Sequence, residues 1–187
     1  MTRRLLLVLI AVMLFAATDA LAFNHQRQGF ALGVGLGVAP TVRWETSWRT
    51  EEHVGFGVNG YIGYGWDAHN ILLFEINSTR CGSDEVDWAD ATFIGPTWYH
   101  YFGRPGRSAF TTVGLGVYTF SVTYFGSLWE ETRTRINDPG PGMLLGGGYE
   151  FARHLLIGGY LGFGRTTGPL GNYDHVHFSI LLGAIGY

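Results

Sequence analysis

The residues best suited to chemistry lie near the end of the chain. His177 and Ser179 are two positions apart, so in a β-strand their side chains share one face. A histidine beside a serine can act as its general base and turn the hydroxyl into a nucleophile. His175 lies on the same face and, with His177, would offer a metal two imidazoles, fewer ligands than protein metal centres use. The competing reading is that these are polar residues near a strand end. Asp84, Glu85, Asp87 and Asp90 could hold Ca²⁺ through carboxylates. They lack the spacing of a calcium loop with its glycine and terminal glutamate, and a solvated acidic loop accounts for them. Tracts such as Gly33-Val34-Gly35-Leu36-Gly37 match phosphate loops only in glycine content, because strict alternation and the missing Lys-Ser/Thr argue against that use. No set is complete, so the sequence assigns no catalytic, cofactor-binding or metal site.

These residues sit in segments that alternate with period two, the mark of β-strands. Phe30, Leu32, Val34, Leu36 and Val38 interleave with Ala31, Gly33, Gly35, Gly37 and Ala39. Val54, Phe56, Val58, Ile62 and Tyr64 do the same with a largely glycine face, Leu72, Phe74 and Ile76 alternate with Leu73, Glu75 and Asn77, and Val113, Leu115 and Val117 alternate with Thr112, Gly114, Gly116 and Tyr118. Met143, Leu145, Tyr149 and Phe151 follow, then Leu155, Ile157, Leu161 and Phe163, and a last run from Val176 to Tyr187. With an aromatic-rich segment from Phe93 to Phe102, whose facing the pattern leaves open, about eight strands result. One face is bulky and apolar, the other nearly bare. A lipid-exposed outer wall around a narrow lumen produces this division, and a soluble ligand-binding barrel would show the reverse. Glu75 and Glu150 fall on the bare face, where Arg43, Arg153 or His154 are candidate partners. The many inward glycines would leave free space in a lumen that side chains ordinarily fill.

Composition agrees. Of 187 residues only 14% are charged, 16% are aromatic and 29 are glycine, against a usual charged share of about 25%. Arg3 and Arg4, the apolar run Leu5–Phe15 and Ala20-Leu21-Ala22 read as a signal peptide over residues 1–22, leaving a single domain over 23–187. That domain has 10 Arg, no Lys and 14 acidic residues, a formal charge of −4, which disfavours a nucleic-acid partner. Cys81 is the only cysteine and cannot form an internal disulfide, so its thiol would stay reduced or pair with another chain.

Connections alternate in length. Those near residues 40–52, 78–90, 125–139 and 165–174 are long, and those near 66–70, 103–108 and 152–154 are short. Transmembrane barrels of the outer membrane have long extracellular loops and short periplasmic turns. An even strand count then puts both termini on the periplasmic side. Trp66, Trp98, Tyr99, Tyr101 and Phe102 lie near strand ends, where aromatic girdles sit. The third long loop carries Trp129, Glu130, Glu131, Arg133 and Arg135, a mixed surface suited to binding.

Ile94-Gly95-Pro96-Thr97-Trp98-Tyr99, the following Thr112–Tyr118 strand and Gly146-Gly147-Gly148-Tyr149-Glu150-Phe151 resemble the small eight-stranded outer-membrane barrel group of the OmpX/Ail type, as does the mature chain as a whole. The terminal Tyr187, with Ile185 and Leu181 on its face, resembles the signature read by the barrel-assembly machinery, while Gly183 and Ser179 depart from it. The resemblance implies an all-β, eight-stranded antiparallel up-and-down transmembrane β-barrel in the bacterial outer membrane. Its partners would be outer-membrane lipid, lipopolysaccharide and the assembly machinery, and it would be a monomer without cofactors. His177-Phe178-Ser179 also resembles the His-x-Ser of the PagL-type lipid A deacylases, which lies on the lipid-facing side, and by Tyr187's face this pair should face outward. It departs from that family: Ile180-Leu181-Leu182 follow it, it lies in the last strand, and only Asp174 precedes it as an acidic partner. Fold alone does not decide activity. The leading expectation is a non-enzymatic barrel with an envelope-structural or surface-binding role through four loops. A narrow channel for small or apolar solutes and a lipid A deacylase are the alternatives.

Overall fold

A computed structural model describes residues 27–45, 50–82, 88–124, 133–169 and 171–187. The expected signal peptide, Asp84, Glu85, Asp87, Trp129, Glu130 and Glu131 lie outside the described residues, as do the side chains of Arg43, Arg133 and Arg135. The strands are β1 (Gly29–Glu45), β2 (Thr50–Gly65), β3 (Asn70–Cys81), β4 (Trp88–Tyr101), β5 (Ser108–Tyr124), β6 (Arg133–Ile136), β7 (Gly140–Ala152), β8 (Leu155–Thr166) and β9 (Tyr173–Gly186). Eight of them form a closed antiparallel barrel in chain order, and β1 pairs with β9 from Leu32↔Gly186 to Glu45↔Tyr173 to complete it. The short β6 stands apart from the barrel and pairs only with the end of β5, from Ser121↔Ile136 to Tyr124↔Arg133. The first long connection is shorter than expected, because β1 and β2 run on as a paired hairpin to Trp44↔Thr50.

The division of faces is as the alternation implies. Phe30, Leu36, Phe56, Phe74, Leu115 and Leu182 are exposed on the outer wall. Tyr61, Leu73, Phe93, Tyr118, Leu144 and Tyr160 are buried inside. The aromatic-rich segment resolves in β4: Phe93, Thr97, Tyr99 and Tyr101 point inward, while Trp98 and Phe102 are exposed. Tyr99 and Tyr101 are therefore lumen residues and not part of a girdle, as their nearness to a strand end had suggested. Strand parity, not position along the strand, decides their side.

The inward glycines do not leave free space. A Cβ on Gly33 would lie 2.1 Å from the Tyr61 ring, one on Gly164 2.2 Å from the Tyr118 ring, and one on Gly162 2.2 Å from the His177 ring. These three positions are seats of large side chains from other strands, while Gly37, Gly63, Gly95 and Gly116 lie against the backbone of a neighbouring strand. The lumen is filled by a few big inward groups instead of many medium ones.

The turns at the end where the chain terminates are tight for local reasons. Arg104-Pro105-Gly106-Arg107 closes with Arg107 N–H donating to Arg104 O at 3.2 Å, and Gly106 has φ +86°. Proline followed by a left-handed glycine is the demand of a type II turn. In the β2–β3 turn Asp67 Oδ1 accepts the backbone N–H of His69 at 2.7 Å and of Asn70 at 2.8 Å, an Asx turn. The Asn70 amide, donating to both oxygens, holds the Asp67 carboxyl below the usual carboxylate range.

Two glycine substitutions test this packing. Gly33→Val or Gly164→Val should destabilise the barrel by about 1–3 kcal/mol, the usual cost of overfilling a packed interior. Gly60→Val, at an outward position with no atom within 4 Å of the added Cβ, should not. The measurement is the urea midpoint of the gel-mobility difference between boiled and unboiled protein in detergent. Equal midpoints for all three variants would contradict a filled lumen.

Candidate functional site

The interior carries three polar layers between apolar and aromatic packing, and these hold the groups that can do chemistry. The layer at the short-turn end is built on Arg27, just before β1. Its φ of 56° is unusual for a non-glycine residue, and its side chain is fully buried. Nε donates to Glu150 Oε2 at 3.1 Å, and Nη2 forms the ion pair with the same oxygen. Nη1 donates to Gly103 O at 2.8 Å and Ala68 O at 3.1 Å, and Nη2 also reaches Arg104 O at 3.3 Å. The guanidinium lies 3.9 Å from the Tyr101 ring centroid. Glu150 Oε1 accepts the Gly106 backbone N–H at 2.8 Å and the Tyr187 hydroxyl. One cation thus ties two turns, β7 and the C-terminal residue across the barrel mouth. The partner of Glu150 is neither Arg153, which is exposed, nor His154, whose Nδ1 is 2.9 Å from Ile185 O. Local pattern could not reveal Arg27, because it precedes the first strand and meets Glu150 from 123 residues away.

The middle layer is built on Glu75. Its Oε1 accepts Asn59 Nδ2 at 3.0 Å and Asn77 Nδ2 at 3.3 Å, and its Oε2 accepts Thr97 Oγ1 at 3.1 Å and the Tyr99 hydroxyl at 2.9 Å. The Tyr99 and Tyr160 hydroxyls are 3.5 Å apart. Asn59 and Asn77 are direct cross-strand partners, which is why both amides reach one oxygen.

The layer at the long-loop end contains the histidines. The Tyr118 hydroxyl bonds His177 Nδ1, and its ring stacks on His175 with centroids 5.4 Å apart. His175 Nε2 is 2.8 Å from Thr166 Oγ1. Asn137, just after β6, turns inward and donates to Thr166 Oγ1 at 3.1 Å and to Gly171 O at 3.2 Å. This folds the end of the third long connection over the mouth.

These positions correct the expected facing of the last strand. His177, Ser179, Leu181, Ile185 and Tyr187 all point into the barrel and are buried, and the outer face of β9 is Phe178, Ile180 and Leu182. His177 Nδ1 is engaged by Tyr118, and Ser179 Oγ has no hydrogen-bond partner. The lipid-facing His-Ser arrangement that the spacing implied is therefore not formed. The signal was present in the bulky residues at 178, 180 and 182, and assigning the outer face from Tyr187 overrode it. Asp90, from the acidic stretch, faces outward in a fork with Arg80 at 2.6 and 3.1 Å. Arg165 and Asp174 form a matching outward fork at 2.6 and 2.8 Å. Below the second fork an open groove of about 490 Å³ runs over Leu115, Met143, Phe163 and Val176.

No protein-family description matches this chain, and no curated protein matches it in sequence. Solved structures do match it in shape. Ail, the attachment invasion locus protein of Yersinia pestis, superposes with a TM-score of 0.56 at 14% identity, covering 84% of this chain and 99% of Ail. Neisserial surface protein A superposes with a TM-score of 0.59 at 14% identity, covering 84% of this chain and 96% of that protein. At this identity the likeness shows the fold: a closed, antiparallel, all-β barrel of eight strands, the architecture of small outer-membrane barrels.

Arg27→Met would leave Glu150 buried without its cation and should cost about 3–5 kcal/mol, as breaking a buried pair from one side does. Arg27→Met combined with Glu150→Gln removes both charges and should recover most of that loss. Urea midpoints of the three proteins measure it, and a double variant no more stable than Arg27→Met would show that the charge pair is not what holds this mouth.

Proposed function

We propose that this chain is a non-enzymatic barrel of the bacterial outer membrane, with both termini periplasmic, and that its long loops form a binding surface over a closed scaffold. The observation that carries the reading is the interior. Three hydrogen-bonded layers, on Arg27–Glu150, on Glu75 and on Tyr118–His177, span the lumen. A barrel of eight strands is just wide enough for side chains to fill, and the glycines here seat rings instead of opening a path. A narrow channel would need all three layers to part.

The outer wall supports the location. Its exposed Phe, Leu, Val and Ile residues form a band that water would not tolerate over so large an area. Trp66, Trp98 and Phe102 lie exposed toward the short-turn end, as an interfacial girdle requires. The outward Arg80–Asp90 and Arg165–Asp174 forks mark the opposite boundary, where lipid and lipopolysaccharide headgroups would meet the wall. Exposed pairs of this kind add little stability, so headgroup contact is the better account of them. In this reading the closing strand ending at Tyr187 is what the assembly machinery engages, and the barrel works as a monomer. Surface attachment is the role we infer for the loops. Ail is named for attachment and invasion, and its structure has also been solved with the heparin analogue sucrose octasulfate, at 13% identity to this chain and a TM-score of 0.53.

Two measurements test the reading. In planar bilayers the purified protein should give no stepwise conductance, and reproducible openings would make it a channel. Lipid A from cells with and without the protein should give the same mass spectrum, and loss of an acyl chain that depends on Ser179 would make it a deacylase.

A further inference from the structure

We propose that the middle layer of the lumen is a binding site for a monovalent alkali cation, held beside Glu75 by the side-chain oxygens of Asn59 and Asn77. The argument begins with charge. Glu150 has Arg27, but Glu75 is fully buried, and its four partners, Asn59, Asn77, Thr97 and Tyr99, are all neutral. Among the described residues no cationic side chain meets it. A carboxylate removed from water without a counter-charge is strongly unfavourable. Either the group carries a proton or a cation accompanies it.

The amides distinguish these two. Asn59 Nδ2 and Asn77 Nδ2 both donate to Glu75 Oε1, and reversing either amide would set an oxygen against the carboxylate. The orientation is thus dictated by Glu75. It leaves Asn59 Oδ1 and Asn77 Oδ1 buried without a well-formed hydrogen bond, the Asn59 amide meeting only the Tyr160 hydroxyl besides Glu75, although buried acceptors of this kind are nearly always satisfied. A proton on Glu75 Oε1 could serve at most one of them, and only with that amide reversed, while Tyr99 and Thr97 already have second acceptors in Tyr160 and in Leu73 O. A cation would neutralise the carboxylate and supply both amide oxygens with a partner at once. The orphaned buried atoms elsewhere in the lumen include the hydroxyls of Tyr101, Thr112 and Ser179, which can also present oxygen to a cation.

The chemistry selects the ion. The candidate ligands are amide and hydroxyl oxygens, hard donors that suit alkali and alkaline-earth ions over transition metals. One carboxylate among neutral ligands balances one positive charge. A divalent ion would leave an excess charge in a lumen that already holds Arg27. Space argues for a bare ion over an organic ammonium, because Asn59 Oδ1 already sits only 2.3 Å from where a Cβ on Gly35 would be and Tyr61, Tyr99 and Tyr160 are fully packed around the layer. Gly35 is the position that makes room for that oxygen.

The test uses the full-length protein purified in detergent at fixed ionic strength and pH. Its thermal unfolding midpoint is followed as sodium or potassium chloride replaces N-methyl-D-glucamine chloride, whose cation is too large to enter. A saturable rise of several degrees is expected, the size of effect that a ligand at many times its Kd gives a small domain. Glu75→Gln should abolish the ion dependence. If that variant does not fold, Asn77→Ala keeps the carboxylate and should raise the cation concentration for half effect about tenfold or more, while Asp90→Asn on the outer wall should leave it unchanged. Equal midpoints in both salts would overturn the proposal. So would an ion dependence that survives in Glu75→Gln, one whose half-effect concentration is unshifted in Asn77→Ala, or a midpoint governed by pH and not by the cation.

Discussion

The pairing of β1 with β9 is the constraint on which the rest of the molecule depends. In an apolar medium a sheet cannot leave an edge of unpaired N–H and C=O groups, so it must close on itself. Closing with eight strands sets a narrow diameter, and that diameter dictates what the inward residues can be. If every inward position carried a medium side chain, the lumen would be overfilled. The chain meets this by alternating extremes, with glycine at positions such as 33, 162 and 164 and a full ring at Tyr61, His177 and Tyr118 across from them.

The same closure makes the interior a place of high electrostatic consequence. The backbone groups of the strands are taken up largely by the ladders, so inward polar side chains must satisfy one another. Glu150 does so with Arg27, the Gly106 N–H and Tyr187. This joins residues from both ends of the chain and makes the short-turn mouth a single unit. Glu75 does so with neutral donors only. The two carboxylates have similar burial and similar numbers of hydrogen bonds, and they differ in counter-charge. The mouth at the long-loop end is closed by softer means: Tyr118 packed on His175 and His177, with Asn137 turned in behind them.

A wall of this kind separates duties. The outer face presents apolar side chains, with exposed Arg–Asp forks toward the long-loop end. The lumen holds shape. The long connections are under neither constraint and can vary in charge and length. This is why a barrel can be clear in the sequence while its ligand is not.

Period-two alternation, low charge, the order of long and short connections and the distribution of glycine were enough to establish an all-β barrel of eight strands, its bulky outer face and the inward placement of Glu75 and Glu150. Those features are local, and each strand repeats them, so no single ambiguous segment mattered. The last strand is the exception, because there a local rule must be anchored by one residue. Tyr187 faces inward with His177 and Ser179, and it is Phe178, Ile180 and Leu182 that carry the outward parity. Partner choice was beyond the sequence altogether. That Glu150 meets Arg27, that Asn59 and Asn77 converge on one oxygen of Glu75, and that rings sit against Gly33, Gly162 and Gly164 all depend on strand register and stagger around the closed barrel. Alternation says only which face a side chain takes. Which neighbours it meets is decided by closure, because only then do strands distant in sequence present their inward residues at a common level.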